Sequence, residues 1–88
     1  MNDNIEYFFR KPVLIIININ NEINSTTKIV KETNTTFSHV AKTIRKLEDM
    51  GLIKTKRLTR EKEITLTEKG KKVKNILLRL KGVMENGN

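Results

Sequence analysis

Few residues in this 88-residue sequence could carry out covalent or acid–base chemistry. His39 is the only histidine, and no cysteine is present to act as a nucleophile, a disulfide partner or a zinc ligand. The sequence has no glycine-rich phosphate loop and no pair of acids with the spacing of a metal site or of a general acid and base. We therefore expect a protein that is not an enzyme and that needs neither a metal nor another cofactor.

The sequence has an excess of positive charge, and this charge is unevenly distributed along the chain. Residues 1–33 carry four acids and four bases, whereas residues 34–88 carry fourteen bases and six acids and so hold the whole net charge of +8. A localised excess is typical of a surface that binds a polyanion. A lysine-rich solvated surface would have the same composition, so charge alone leaves both interpretations open.

Length and hydropathy set further limits. A chain of 88 residues is expected to fold as a single domain over residues 1–88, and a partner subunit would add useful stability to so small a core. The longest apolar run, Val13 to Ile17, is too short for a membrane helix, and the acidic start of the chain is unlike a signal peptide. We expect a soluble, cytoplasmic protein with no membrane partner.

The N-terminal part of the sequence predicts helical structure. Pro12 suits the first turn of a helix, and apolar residues follow at helical spacing, which predicts a helix over about residues 12–20. Its β-branched isoleucines would suit a buried strand equally well. Residues 4–10 are expected to add a short helical turn that carries aromatic side chains onto the core.

Two further helices are predicted, the second of them the strongest in the sequence. Ser25 or Thr26 can cap a short helix that ends at Thr33. The next helix is predicted over about residues 36–50, because its apolar residues recur at helical spacing and Gly51 suits its C-terminal cap. That apolar stripe consists of Val40, Ile44 and Leu47.

The basic C-terminal part predicts a hairpin and a last helix. Apolar and polar residues alternate in two short strands of a hairpin over about residues 52–66, whose connecting turn lacks an Asn-Gly or Asp-Gly signal and should be somewhat mobile. Thr67 can cap a helix over about residues 67–83, with Gly82 near its end. The apolar stripe of this helix, suited to packing on the domain and to a dimer seam, consists of Val73, Ile76, Leu77, Leu80, Val83 and Met84.

This order of elements, together with four motifs, resembles the winged helix-turn-helix family and in particular small archaeal and MarR-like regulators. The motifs run from Phe9 to Ile16, Thr35 to Val40, Leu47 to Ile53 and Leu66 to Gly70. The resemblance covers about residues 9–83 and implies a mainly helical α+β fold, with a three-helix core, a two-stranded wing and a C-terminal helix. Full-length MarR proteins have long additional helices for dimerisation and ligand binding, so no effector pocket is expected in this chain.

The resemblance implies how the chain would bind double-stranded DNA. The helix over about residues 36–50 would be the recognition helix in the major groove, and the basic wing would grip the backbone or the minor groove. On the helical wheel, the residues that point directly away from the apolar stripe are Ser38, Lys42, Arg45 and Asp49. The candidate DNA-binding residues are Thr35, Thr36, Ser38, His39, Lys42, Arg45, Lys46, Lys56, Arg57, Arg60 and Lys62.

Several alternatives remain open at the level of the sequence. Thr35 and Thr36 could hold a phosphate oxygen at the helix start or simply provide its N-cap, and His39 is either a DNA contact or a neutral bystander. Winged helices also serve as protein-interaction adaptors, and RNA binding is a third possibility despite the lack of an aromatic stacking platform. The position of the charge on the recognition helix and wing argues against an adaptor. The resemblance implies a sequence-specific regulator, which we expect to be a repressor, and the apolar stripe of the C-terminal helix favours a homodimer.

Overall fold

The computed structural model describes residues 11–58 and 60–86 of the chain. Within these residues the chain forms four helices and one antiparallel hairpin, in the predicted order and with the predicted, mainly helical α+β architecture. The elements are α1 (Lys11–Asn18), α2 (Thr26–Thr33), α3 (Phe37–Asp49), β1 (Ile53–Arg57), β2 (Lys62–Leu66) and α4 (Glu68–Asn86). The turn predicted over residues 4–10 lies outside the described residues.

The helix α1 forms despite its run of β-branched isoleucines. Burial of one face, including the fully buried Ile16, outweighs their modest preference for strands. The helix ends at Asn18, two residues before the predicted end, because Asn20 organises the next turn. The side-chain oxygen of Asn20 accepts hydrogen bonds of 2.8 Å from the backbone N–H groups of Glu22 and Ile23.

Side-chain caps define the starts of α2 and α3. The hydroxyl of Ser25 accepts a hydrogen bond from the backbone N–H of Lys28, and that of Thr36 accepts one from the N–H of His39. Between the two helices, Asn34 adopts a left-handed conformation with φ of 54°, which asparagine tolerates better than most residues. These local signals end α2 and start α3 after a short turn, and the two helices pack against each other.

The core lies between the three N-terminal helices, the hairpin and α4. The apolar stripe predicted for α3 is buried, and Thr43 is also fully buried on this helix. The hydroxyl of Thr43 donates to the carbonyl oxygen of His39 at 2.9 Å, so its burial leaves no unpaired donor. The buried hydrophobic residues are Ile15, Ile16, Ile19, Ile29, Val40, Ile44, Leu47, Leu52, Ile53, Ile64 and Leu77.

The motifs around Gly51 and Gly70 interlock in space. The hydroxyl of Thr67 donates to the carbonyl oxygen of Gly51 at 2.6 Å and accepts from the backbone N–H of Gly70 at 3.0 Å. A Cβ atom on Gly70 would collide with the carbonyl of Leu52, so this close approach requires glycine. Together these contacts fix the start of α4 against the beginning of the hairpin.

The helix α4 packs along α1 and is longer than predicted. It continues through Gly82 to Asn86, beyond the predicted end near residue 83. A glycine inside a helix costs only about 1 kcal/mol and does not by itself end the helix. The ammonium group of Lys74 donates to the carbonyl oxygen of Ile19 at 2.6 Å, which ties α4 to the turn after α1.

Candidate nucleic-acid interface

The outward face of α3 carries the predicted side chains of the recognition helix. The five DNA-binding side chains predicted on α3 itself are all exposed, because the buried stripe occupies the opposite side of the helix. In the part of the chain that the structure describes, neither Lys42 nor Arg45 is held in an ion pair. The exposed side chains are Ser38, His39, Lys42, Arg45 and Lys46.

The two threonines before α3 have different hydrogen-bonding roles. The half-buried Thr35 donates its hydroxyl to the carbonyl oxygen of Thr33 at 3.2 Å. The exposed Thr36 is the N-cap, and its hydroxyl oxygen accepts from the N–H of His39 at 3.3 Å. Thr36 therefore keeps a hydroxyl proton that it can donate to a phosphate oxygen while it caps the helix, whereas the proton of Thr35 is already used.

The hairpin divides its cations between two faces. Arg57 is paired across the strands with Lys62, and Lys56 is paired with Glu63. Side chains of directly paired residues point to the same face of a sheet, and the face alternates along each strand. Arg57 and Lys62 therefore share the face that carries the buried Ile53, while Lys56 points to the other side. The structure brings together only two of these three predicted cations.

Hydrogen bonds position the hairpin relative to α3. The hydroxyl of Thr55 donates to a carboxylate oxygen of Glu48 near the end of α3 at 2.9 Å. The backbone N–H of Leu58 donates to the carbonyl oxygen of Glu61 at 2.9 Å and closes the turn, where Arg60 is exposed. The remaining turn residue, at position 59, lies outside the described residues. The predicted basic tip is thus held beside the helix rather than away from it.

An open cavity of about 290 Å³ lies between the hairpin, the first turns of α3 and the start of α2. Phe37 is not among the site residues predicted from the sequence, although its side chain is 59% exposed in this cavity. The spacing from Phe37 to Val40 and Ile44 is itself typical of a buried stripe, so the pattern gave no signal of exposure. The cavity is lined by Thr26, Thr27, Phe37, Ala41, Arg57, Arg60, Glu61 and Lys62.

We refer to five exposed cations on α3 and the hairpin as the cationic surface. The acids of α3, Glu48 and Asp49, are at its C-terminal end, away from the first turns of the helix. The charge of α3 is therefore positive along its middle and negative at its end. The cationic surface consists of Lys42, Arg45, Arg57, Arg60 and Lys62.

The apolar stripe of α4 is covered on one side only. Leu77 is buried and Val73 is half-buried against the core. By contrast, Ile76 is 64% exposed and Met84 is 76% exposed. We refer to the exposed part of the stripe as the apolar face of α4, which consists of Ile76, Leu80, Val83 and Met84.

Metal-binding clusters and membrane-spanning helices are both absent from the described residues. The histidine, aspartate and glutamate side chains of these residues form no cluster of three or more that could hold a metal ion. None of the helices described above has the length and apolar character needed to cross a membrane.

Comparison with known proteins identifies the fold family. A family model described as winged helix-turn-helix matches residues 12–85. No curated protein sequence matches the chain significantly. Among solved structures, the transcriptional regulator SlyA is similar with a TM-score of 0.83 and 23% identity, over 94% of this chain and 61% of that chain.

Two similar structures are complexes with DNA. Streptococcus pneumoniae FabT has a TM-score of 0.79 and 23% identity, over 89% of this chain and 57% of that chain. The S. aureus MepR complex has a TM-score of 0.78 and 23% identity, over 97% and 67% of the two chains. The chain spans about three fifths of the length of SlyA and FabT. With the family model matched over most of its length, this chain belongs to the winged helix-turn-helix family.

Proposed function

We propose that this protein is a transcription regulator that binds double-stranded DNA in a sequence-specific manner and acts as a repressor. The observation that carries the proposal is the position of the cationic surface, which lies on the two elements that a winged helix-turn-helix presents to DNA. FabT and MepR, whose folds are similar to this one, have been solved in complex with DNA. These cations are exposed rather than packed in the core, and their clustering on two neighbouring elements fits a polyanionic partner.

In the proposed complex, α3 enters the major groove with its N-terminal half. The groove is about 12 Å wide and admits a helix, and the residues of the first turns reach the base edges. Ser38, His39 and Lys42 are placed to read bases, and Arg45 is placed to contact a phosphate. Glu48 and Asp49 would be repelled by the backbone, which favours insertion of the N-terminal half rather than the C-terminal end.

The wing, formed by β1 and β2, contributes the remaining contacts. Arg57 and Lys62 are paired on the face that borders α3, and Arg60 is exposed at the turn. These three cations are placed to grip the backbone beside the recognition helix or to enter the minor groove. Lys56 is on the opposite face, so we expect it to contribute less than Arg57 or Lys62.

We further propose that the protein forms a homodimer through the apolar face of α4. Its exposed side chains follow one another along the helix and continue the stripe that Leu77 begins in the core. A contiguous exposed apolar surface is typical of an interface, and a small domain gains stability by covering it. In a twofold symmetric dimer the two copies of α3 would enter successive major grooves about 34 Å apart.

Selection of bound sites from random duplex DNA tests the proposal directly. We expect enrichment of a palindromic sequence, because a symmetric dimer binds two half-sites. A duplex RNA of the selected sequence should compete poorly, since a helix cannot read the deep and narrow major groove of RNA. Failure to enrich any DNA sequence would contradict specific binding, and equal competition by the RNA would favour the RNA-binding alternative.

A further inference from the structure

Phe37 is the only aromatic residue among those that the structure describes, and it lies outside the core. A buried phenylalanine would contribute strongly to stability, yet the part of the core that the described residues form is built from aliphatic side chains. Single exposed apolar residues are common on protein surfaces. Phe37 differs from such residues because it occupies the first turn of α3, the part of the helix that reaches base edges in this fold.

Phe37 and Ala41 form an apolar strip beside the polar strip of α3. They are one helical turn apart, and both line the cavity that faces the wing. Ser38 and Lys42 follow them directly in sequence and are exposed on the outer face of the same two turns. The insertion of these turns into a groove would therefore place an apolar surface and a hydrogen-bonding surface side by side.

The major groove offers one apolar group that such a surface can recognise. The C5-methyl group of thymine projects into this groove, and phenylalanine and alanine side chains make apolar contacts with it. The charged phosphate groups give an exposed ring no comparable partner. We propose that Phe37, together with Ala41, reads a thymine methyl group and thereby helps to determine sequence specificity. This inference rests on the proposed DNA binding.

Replacing thymine with deoxyuridine in the selected duplex tests this assignment, because the exchange removes only the methyl group. Each thymine of one half-site is replaced in turn, and the affinity of the full chain is measured for each duplex. For the wild-type protein we expect binding about fourfold weaker at one or two positions, which is the loss expected for one apolar methyl group. At the other positions the affinity should not change.

Substitutions at position 37 test whether Phe37 is the residue that contacts the methyl group. Phe37→Ala should bind the thymine duplex about fourfold more weakly and should no longer distinguish thymine from deoxyuridine at the sensitive position. Phe37→Leu keeps an apolar side chain and should retain part of the discrimination. The control is Leu78→Ala, which shortens an exposed apolar side chain on α4 and should discriminate as the wild type does.

The outcomes separate this inference from the proposed function. Specific binding with no sensitive thymine would overturn the reading of a methyl group and leave DNA binding intact. A weaker Phe37→Ala variant that still discriminates fully would show that the ring only supports Arg57 and Lys62 of the wing, and it would also overturn the inference. If the selection enriches no duplex, both the proposed function and this inference fail.

Discussion

The cationic surface and the apolar face of α4 are both exposed, but for opposite physical reasons. Lys42 and Arg45 lie on the outer side of a helix whose inner side fills the core, so water is their natural environment in the free protein. Ile76 and Met84 are exposed because, among the residues that the structure describes, no other element covers this side of α4. The cationic surface suits a partner of opposite charge, whereas the apolar face of α4 suits an apolar partner that excludes water from it.

A change of salt concentration should have the largest effect, and it should weaken DNA binding by the cationic surface but not dimerisation through the apolar face. If about six phosphates are neutralised, the logarithm of the DNA association constant should fall with the logarithm of salt concentration at a slope near −5. Affinity would then decrease about a thousandfold between 50 and 200 mM salt. Dimerisation depends on apolar burial and should change little over this range. Binding titrations and sedimentation at matched salt concentrations measure both, and DNA affinity that is flat with salt would contradict the proposed interface.

Removal of cations should have the next largest effect. The triple variant Lys42→Ala, Arg45→Ala, Arg60→Ala should weaken DNA binding at least about a hundredfold, since each contact contributes about 1 kcal/mol or more. All three side chains are exposed, so the melting temperature should stay within a few degrees of that of the wild type. Fluorescence anisotropy and thermal unfolding measure the two quantities.

A matched variant removes the same charge from α4 instead. Replacing Lys71, Lys72 and Arg79 with alanine lowers the net charge equally, and the single ion pair that it removes, between Lys71 and Glu68, is exposed. This control should bind DNA only a few times more weakly than the wild type. Equal losses in the two triple variants would mean that net charge, rather than the cationic surface, drives binding. A protein-interaction adaptor would keep its partner after either set of changes.

A charge placed on the apolar face should break the dimer. Ile76→Asp would bury a carboxylate in the interface, so we expect the dimer dissociation constant to rise more than about tenfold. Folding should be unaffected, because Ile76 is 64% exposed in the single chain. Sedimentation over a concentration series measures the change. Leu78→Asp places the same charge on the opposite side of α4, and dissociation to the same extent would locate the interface elsewhere.

The smallest expected effect concerns the link between the wing and α3. Thr55→Val removes the hydroxyl that donates to Glu48 but keeps the shape of the side chain, so stability should change by about 1 kcal/mol or less. The wing would be less well oriented, and we expect DNA binding about twofold to threefold weaker. Thr65→Val alters an exposed threonine on the other face of the hairpin and should leave binding unchanged. Identical results for the two variants would argue against a role for this hydrogen bond.

Local patterns were sufficient to predict much of the architecture. The caps at Ser25 and Thr36, the buried stripe through Ile44 and the positive φ of Gly51 all depend on residues within about two helical turns of one another. The exposure of the predicted side chains on α3 follows from the same periodicity. The end of α1 lies two residues before the predicted end, because the side chain of Asn20 accepts the hydrogen bonds that organise the next turn and so belongs to the turn rather than to the helix.

The sequence by itself determined α2, α3, the hairpin, the start of α4 and which side of α3 turns inward, because helical period and capping are properties of neighbouring residues. For α1 the sequence suited a helix or a strand, and burial against the other elements decided for the helix. Only the tertiary structure decided which apolar side chains are buried by other elements and which stay exposed. The spacing of Phe37 would suit burial, yet the start of α3 extends to the edge of the core and leaves the ring exposed. On α4 the same apolar stripe is buried at Leu77 and exposed at Ile76, since α1 covers one side of it only. Coverage depends on elements far apart in the chain, which no local pattern specifies.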